Sequence, residues 1–344
     1  MKKMSRGTGA FLGGNSALMY LEDVTIEGFK SFSEPTNMGF EPGIGVIIGN
    51  NGVGKSNILD AIVWALGEDD LERLRCRGKE DLFFSGSKSY PPASRIRVEL
   101  RLKRGLEKGS GVTTLAREMT RDGTESYWIG GGRVGRQEYE GELMLLGLGR
   151  ALKTIIRQEQ INDMISLNAP DRFVWVQELL EHHGAGVTVR CLKDQVASYF
   201  QDYVSLLLPE AEARILLDEH DGRTGLEIQM ALQEKSVRRA HQLSGGQKAI
   251  TSLALKLALF EELDSPFYLL DEVEPSLDYT NHKSMQALLK MLSKKRQLIM
   301  ITHLRSTIDL ANTVHGVRTR IDGSSFMKFY FVMDERLLRL YKCC

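Results

Sequence analysis

Apolar positions change their spacing several times along the chain. Residues 18–50 alternate short apolar segments with turn signals: "YLEDVTIEGF", then "GIGVIIGN", the second a continuous apolar run of the kind a doubly covered strand shows. Behind Gly54, Ile58, Ile62, Ala65 and Leu66 recur at the spacing of one face of an amphipathic helix. Strand-like alternation returns from Arg95 to about Gly132 ("RIRVELRL", "TLAREM", "ESYWIGG") with Gly and Asp turns between, which predicts an antiparallel meander. Helical spacing follows in "EYEGELMLLGLG" and "PDRFVWVQELLEHH", and "HHGAGVTVRC" breaks it at 182–191. Beyond come a helix, "DQVASYFQDYVSLL", more short strands, and "LSGGQKAITSLALKLALFEEL". In that last segment Ile250, Leu253, Leu257 and Phe260 repeat behind a serine able to cap a helix. The pattern divides the chain into an extension (1–18), an N-terminal lobe (19–190) and a C-terminal lobe (191–344), with no internal repeat.

The segment between the first apolar run and the first helix, Gly49–Ser56, reads G-x-x-x-x-G-K-S, the Walker A pattern. A polyphosphate needs many donors at short range, and successive backbone N–H groups provide them where glycines such as Gly52 and Gly54 let the chain curl. Lys55 would neutralise the outer phosphates, Ser56 would give Mg²⁺ an oxygen, and the helix N-terminus adds its positive end. Further on, "FYLLDEVEPSLD" is an apolar strand ending in two carboxylates, a Walker B arrangement. Asp271 would hold Mg²⁺ through water, and Glu272 would orient and deprotonate the attacking water. "LSGGQK" offers a second phosphate-binding surface from Ser244 and the N–H groups of Gly245 and Gly246. One triphosphate does not need two such surfaces in one molecule, so the second is expected to face a nucleotide held by another protomer. A plain helix cap accounts for Ser244 but leaves Gly-Gly-Gln unexplained.

These motifs together resemble an ABC-type ATPase head, and within that class the head of SMC proteins, with RecF and Rad50/SbcC heads as relatives. "TIEGFKSF" is similar to the SMC opening strand and the loop beside the nucleotide, which implies a contact from Lys30. "GNNGVGKSN" implies contacts from Gly49, Asn50, Asn51, Gly52, Val53, Gly54, Lys55, Ser56 and Asn57. "IIRQEQI" resembles the Q-loop and places Gln158 on Mg²⁺ and the attacking water. "LDEVEPSLD" continues into a D-loop ending at Asp278, and "LIMITH" ends a strand with His303 at the switch position. Arg75, in "LRCRGKEDLFFSGS", stands where SMC heads carry an arginine that reaches phosphate. Ser244, Gly245, Gly246 and Gln247 would act across the dimer. The implied fold is α/β: a RecA-like mixed sheet, an antiparallel β subdomain and a helical signature-motif lobe. The implied cofactors are ATP and Mg²⁺, and the implied partners are a second head, non-specific DNA and an accessory subunit of the kleisin type.

The chain departs from the family where an SMC protein interposes a long coiled coil and hinge, since no a/d repeat runs for three or four heptads. Gln247 stands where most SMC heads have glutamate, and Glu274 and Pro275 where aspartate and alanine are usual. Three other readings compete: a RecF-like repair ATPase, a transporter's nucleotide-binding subunit, and a non-catalytic module that binds ATP only to dimerise. Against the transporter, Lys55 and Ser244 lie further apart than that class places them, and "GFKSF" has no role there.

Composition narrows this little. Of 344 residues, 42% are hydrophobic and 26% charged, which suits a globular protein of about two lobes. Lys plus Arg and Asp plus Glu are each 45, so any DNA contact is local. Arg95, Arg97, Arg101 and Lys103 would share one strand face, interrupted by Glu99, with Arg104 and Lys108 beyond. No apolar run approaches the roughly 20 residues that span a bilayer, and the start lacks a signal-peptide stretch, so the cytoplasm or nucleoid is the expected compartment, without a membrane partner. Cys76, Cys191, Cys343 and Cys344 form no C-x-x-C pair, His182 and His183 with Cys191 lack metal spacing, and the terminal Cys-Cys lacks the polybasic neighbour of a lipid anchor.

Overall fold

The computed structural model describes residues 19–105, 111–181, 192–209, 211–220, 222–232, 237–263, 265–273 and 281–333. The extension 1–18, the break at 182–191 with His182, His183 and Cys191, and Lys108, Glu274, Pro275, Asp278, Cys343 and Cys344 lie outside them.

Three sheets make the framework. The first is antiparallel, β2-β1-β4-β5-β6-β7, from β1 (Met19–Glu27), β2 (Thr36–Gly39), β4 (Arg95–Arg104), β5 (Val112–Thr120), β6 (Glu125–Ile129) and β7 (Gly132–Val134). The second runs β15-β14-β3-β13-β12-β8, from β3 (Ile44–Ile48), β8 (Ile155–Arg157), β12 (Phe267–Asp271), β13 (Gln297–Ile301), β14 (Thr313–Thr319) and β15 (Ser325–Val332). It is parallel except for the last hairpin, β14 with β15. The third comprises β9 (Ala211–His220), β10 (Arg223–Leu232) and β11 (Arg238–Arg239). The meander expected from Arg95 onward is present, and β1 joins it through β4. The "short strands" expected after residue 207 form one hairpin of two ten-residue strands, β9 and β10, whose charged residues hide the alternation.

The parallel strands read as unbroken apolar runs because both faces are covered. Ile47, Phe267, Leu269, Ile299 and Ile301 face one core. Their neighbours Ile44, Val46, Tyr268, Leu270, Leu298 and Met300 face the other. Helix Lys55–Ala65 lies in the first core, between the parallel and antiparallel sheets. Contrary to the one-sided pattern expected of it, it is buried all round: Ile58, Leu59, Ala61, Ile62, Val63, Trp64 and Ala65 are all inside. Two sheets enclose it from Ile58 onward, and the one polar side chain in that stretch, Asp60, points inward to buried cations. The second core is filled by helix Gly245–Leu263, whose Ile250, Leu253, Leu257 and Phe260 are each at most 2% exposed. Full burial of side chains of this size is worth about 1.5–3 kcal/mol each.

Candidate nucleotide site

The parallel strands bring the chemistry to one edge. Their order, β3-β13-β12-β8, sets side by side the chain segments that leave their C-terminal ends: the glycine loop after Ile48, His303 after β13, Asp271 and Glu272 at the end of β12, and Gln158 after β8. Asp271 pairs in register with Arg157, so Glu272 and Gln158 emerge together. A cleft of about 300 Å³ opens there, lined by Asn51, Gly52, Gly54, Lys55, Ser56, Asn57, Arg75, Gln158, Glu159, Asp271 and Glu272.

Gly54 closes the loop in a left-handed conformation (φ 93°) and leads into helix Lys55–Ala65 with no side chain capping its first N–H groups. Uncapped donors at a helix start fit an anion. The Lys55 ammonium is turned back on the loop: it donates to the carbonyls of Gly49 (2.9 Å) and Asn50 (3.1 Å) and lies 3.6 Å from Glu272 Oε1. The Val53 carbonyl accepts from Ser325 Oγ at 2.7 Å, and Asn57 Nδ2 donates to Ser31 Oγ at 2.8 Å.

His303 Nε2 stands 2.8 Å from Glu272 Oε1 and 3.1 Å from Lys55 Nζ. One ring nitrogen cannot serve both. Protonated, it donates to Glu272; bare, it accepts from Lys55. The partner of His303 is therefore set by where one proton sits.

Asp271 is buried, and burial pushes its carboxyl up, against a hydrogen bond from Ser56 and the positive charges of Arg75 and Arg157. A buried carboxylate bonded to a serine hydroxyl is a hard-oxygen pair suited to a divalent cation such as Mg²⁺. Gln158 is exposed at the cleft mouth. Arg75 lines the cleft but binds Asp60 with its Nε (3.2 Å) and Nη2 (2.6 Å), and Nη2 also reaches Asn57 Oδ1 at 3.3 Å. Lys30 is turned inward: its Nζ donates to Asp60 Oδ2 at 2.6 Å and to the Leu74 carbonyl. Lys30, Arg75 and Glu272 are the non-glycine residues with positive φ among those described (49°, 56° and 48°). Such conformations are costly and persist where surrounding contacts over-determine them, commonly at functional sites.

Ser244 and Gly245 are exposed and do not line this cleft. The structure accounts locally for Gln247, which sequence spacing had left unexplained. Its Oε1 accepts from the Ser244 N–H at 3.1 Å, while Ser244 Oγ accepts from the Gln247 N–H at 3.4 Å, a reciprocal capping box. The S-x-x-Q spacing carried that signal. Two further groups were missed. Asp60 is fully buried in an apolar helix, and an acid among Ile58, Leu59, Ala61 and Ile62 was its only local sign. Lys256 donates to the Gln160 carbonyl beside the Gln158 turn, and burial pushes its ammonium down to about 8.

On β4 Arg95, Arg97, Arg101 and Lys103 share one face, as alternation predicts, but each meets a carboxylate. Arg95 lies 3.3 Å from Glu27, Arg97 lies 3.0 Å from Glu99 and 3.6 Å from Glu118, and Arg101 and Lys103 lie 2.8 and 3.4 Å from Glu22. The face is a lattice of ion pairs, not a bare cationic stripe.

Sheet order, the loop-and-helix turn and the long helix Gly245–Leu263 in the second core define the class: an ABC-type head with a mixed sheet and an antiparallel β subdomain. Solved SMC heads share it. A head bound to the C-winged helix domain of ScpA superposes with a TM-score of 0.81 at 31% identity, covering 92% of this chain and 99% of that one. The SMC head domain from Thermotoga maritima does so at 0.66 and 33%, covering 91% and 99%. Residues 20–325 match the RecF/RecN/SMC N terminal domain family, and the chain belongs to it. Among curated relatives, the chromosome partition protein Smc of Mycolicibacterium paratuberculosis is 34% identical over 163 residues, and that of Halothermothrix orenii 35% over 173. Those matches take in 46% and 49% of this chain but only 14% of each relative's length.

Proposed function

We propose that the chain is an SMC-type ATPase head that binds ATP with Mg²⁺ in the cleft and hydrolyses it between two heads, in the service of chromosome organisation. One observation carries the reading. Lys55, Ser56, Asp271, Glu272 and Gln158 meet in one cleft beneath an uncapped helix N-terminus, while Ser244 and Gly245 stand exposed outside it. The site thus lacks a second phosphate-binding face that a neighbouring copy displays.

Lys55 and the loop N–H groups would hold the phosphates, and Ser56, Asp271 and Gln158 would hold the metal, which when bound screens phosphate charge. Glu272 would take the proton of the attacking water, and His303 would steady Glu272 in the protonation state that lets Nε2 donate. Arg75 and the partner's signature edge would stabilise charge on the transferring phosphoryl group. Little covalent chemistry is asked of the protein, only positioning and electrostatics.

An accessory subunit of the kleisin type is part of the proposal, since the solved head noted above carries the C-winged helix domain of ScpA. The exposed apolar end of edge strand β15, Tyr330, Phe331 and Val332, is the surface offered to it. DNA contact through β4 would have to break the pairs to Glu22, Glu27, Glu99 and Glu118, so the proposed binding is weak, non-specific and strongly salt-dependent. No helix among the described residues is long and apolar enough to cross a membrane.

Glu272→Gln tests the central claim. Without the base, ATP is bound but not consumed, and light scattering after size exclusion should show a long-lived dimer in ATP and Mg²⁺. A variant that binds ATP normally yet stays monomeric in excess nucleotide refutes the two-head mechanism.

A further inference from the structure

Asp60 lies within the helix that follows the glycine loop, and none of it is exposed. Three cations converge on its carboxylate from three distant segments. Lys30 Nζ and Arg75 Nη2 each lie 2.6 Å from Oδ2. Arg157 Nη2 lies 2.8 Å from Oδ1, as an ion pair rather than an aligned hydrogen bond. Two of the three, Lys30 and Arg75, hold their backbones at positive φ. The third pairs across the sheet with Asp271 and immediately precedes Gln158.

A buried ion cluster kept only for stability is weakly justified, because apolar residues of the same volume often serve as well. Asp60 is not the only carboxylate these cations meet: Arg75 and Arg157 also act on Asp271, and Arg75 on Glu159, so the cluster reaches to the cleft lining. Arg75 meets Asp60 through the Nε–Nη2 edge of its guanidinium, and a planar fork bound along one edge has its remaining N–H groups fixed in direction.

We propose that Asp60 is a positioning residue of the nucleotide cleft: it aims the Arg75 guanidinium at phosphate and, through Arg157, holds Gln158 beside Asp271. The proposal rests on the reading of the cleft as an ATP site. Asp60 touches neither nucleotide nor metal; it acts through the arginines.

The test compares steady-state ATP hydrolysis by the wild-type chain, Asp60→Asn, Arg75→Ala, Arg75→Lys and the double variant Asp60→Asn/Arg75→Ala. Asp60→Asn and Arg75→Ala should each lower kcat by roughly 10-fold or more while KM stays within about 3-fold, since the contact serves the transition state. The double variant should be no slower than the slower single variant, because both remove one unit. Arg75→Lys should fall with Arg75→Ala, as an ammonium gathers its donors on one nitrogen and lacks the planar fork that meets Asp60 along one edge and phosphate along another. A second readout needs no nucleotide: ¹⁵N NMR should show the Arg75 Nε–H exchanging slowly with water in the wild type and rapidly in Asp60→Asn.

Unchanged exchange, multiplicative losses in the double variant, or wild-type kcat in Arg75→Lys each overturns the proposal. Should Asp60→Asn fail to fold, Arg75→Lys decides alone. Failure of the underlying reading looks different: the wild type, or the wild type and Lys55→Ala alike, would show no Mg²⁺-dependent ATP binding.

Discussion

Gly52 and Gly54 occupy the same loop and look equivalent in sequence, yet the structure predicts different costs for replacing them with alanine. Both have positive φ, 80° and 93°, and an L-residue there costs about 1–2 kcal/mol. At Gly52 a Cβ would meet nothing within 4 Å, so that is the whole cost. At Gly54 a Cβ would lie 2.5 Å from both Ser31 Oγ and Ser325 Oγ. Neither hydroxyl is free to swing away. Ser325 Oγ sits 2.7 Å from Ser31 Oγ and 2.7 Å from the Val53 carbonyl, and Asn57 donates to Ser31. Clearing the Cβ breaks on the order of two hydrogen bonds at about 1 kcal/mol each, giving roughly 3–4 kcal/mol for Gly54→Ala against about 1–2 for Gly52→Ala. Urea unfolding of the two variants beside the wild type measures the difference. A Gly52→Ala cost equal to or above that of Gly54→Ala would refute the packing argument.

Arg117 is 2% exposed, lies over the Trp64 ring and donates to the Trp64 and Glu68 carbonyls and to Asp69 and Glu125, closing the C-terminal end of the loop helix. Arg117→Met removes these bonds, but Asp69 keeps Arg136, Glu125 keeps Tyr127 and the Trp64 carbonyl keeps the Gly67 N–H, so it should cost roughly 2–3 kcal/mol by denaturant unfolding; a loss under about 1 kcal/mol would contradict that role. Burial between Phe40 and Tyr330 pushes the His315 imidazole down to about 4. The unfolded chain binds that proton near pH 6.5 and the folded one only near 4. The His315 contribution is therefore fully present above pH 6.5 and fades as pH falls to 4, by up to about 3 kcal/mol. His315→Phe should flatten that slope, and parallel acid profiles for the two proteins would rule the assignment out. Gln247→Ala removes half of the capping box and should cost about 1 kcal/mol, with Gln247→Glu keeping most of it; equal unfolding midpoints for the two variants would exclude the box.

Local spacing determined much of this molecule. The glycine loop between strand and helix, the two acids ending an apolar strand, the serine before the long helix and the alternation of β4 each depend on residues within one turn or one strand of each other. A period of two or of 3.6, or a glycine between them, is visible in such stretches because the forces that set it are short-ranged. The capping box at Ser244 and Gln247 obeys the same rule, but only its serine was read from the sequence, and the glutamine's half came from the structure.

What the chain could not disclose by itself was which distant segments would be brought together. Helix Lys55–Ala65 was expected to show one apolar face and is instead enclosed by two sheets. The basic face of β4 was in place, but the glutamates that neutralise it come from β1, β5 and β4 itself. Lys30, Arg75 and Arg157 carried no mark of a common partner until the fold set them around Asp60. Burial, charge compensation and hydrogen-bond partners across many residues depend on the closing of the core, and only the tertiary structure decides them.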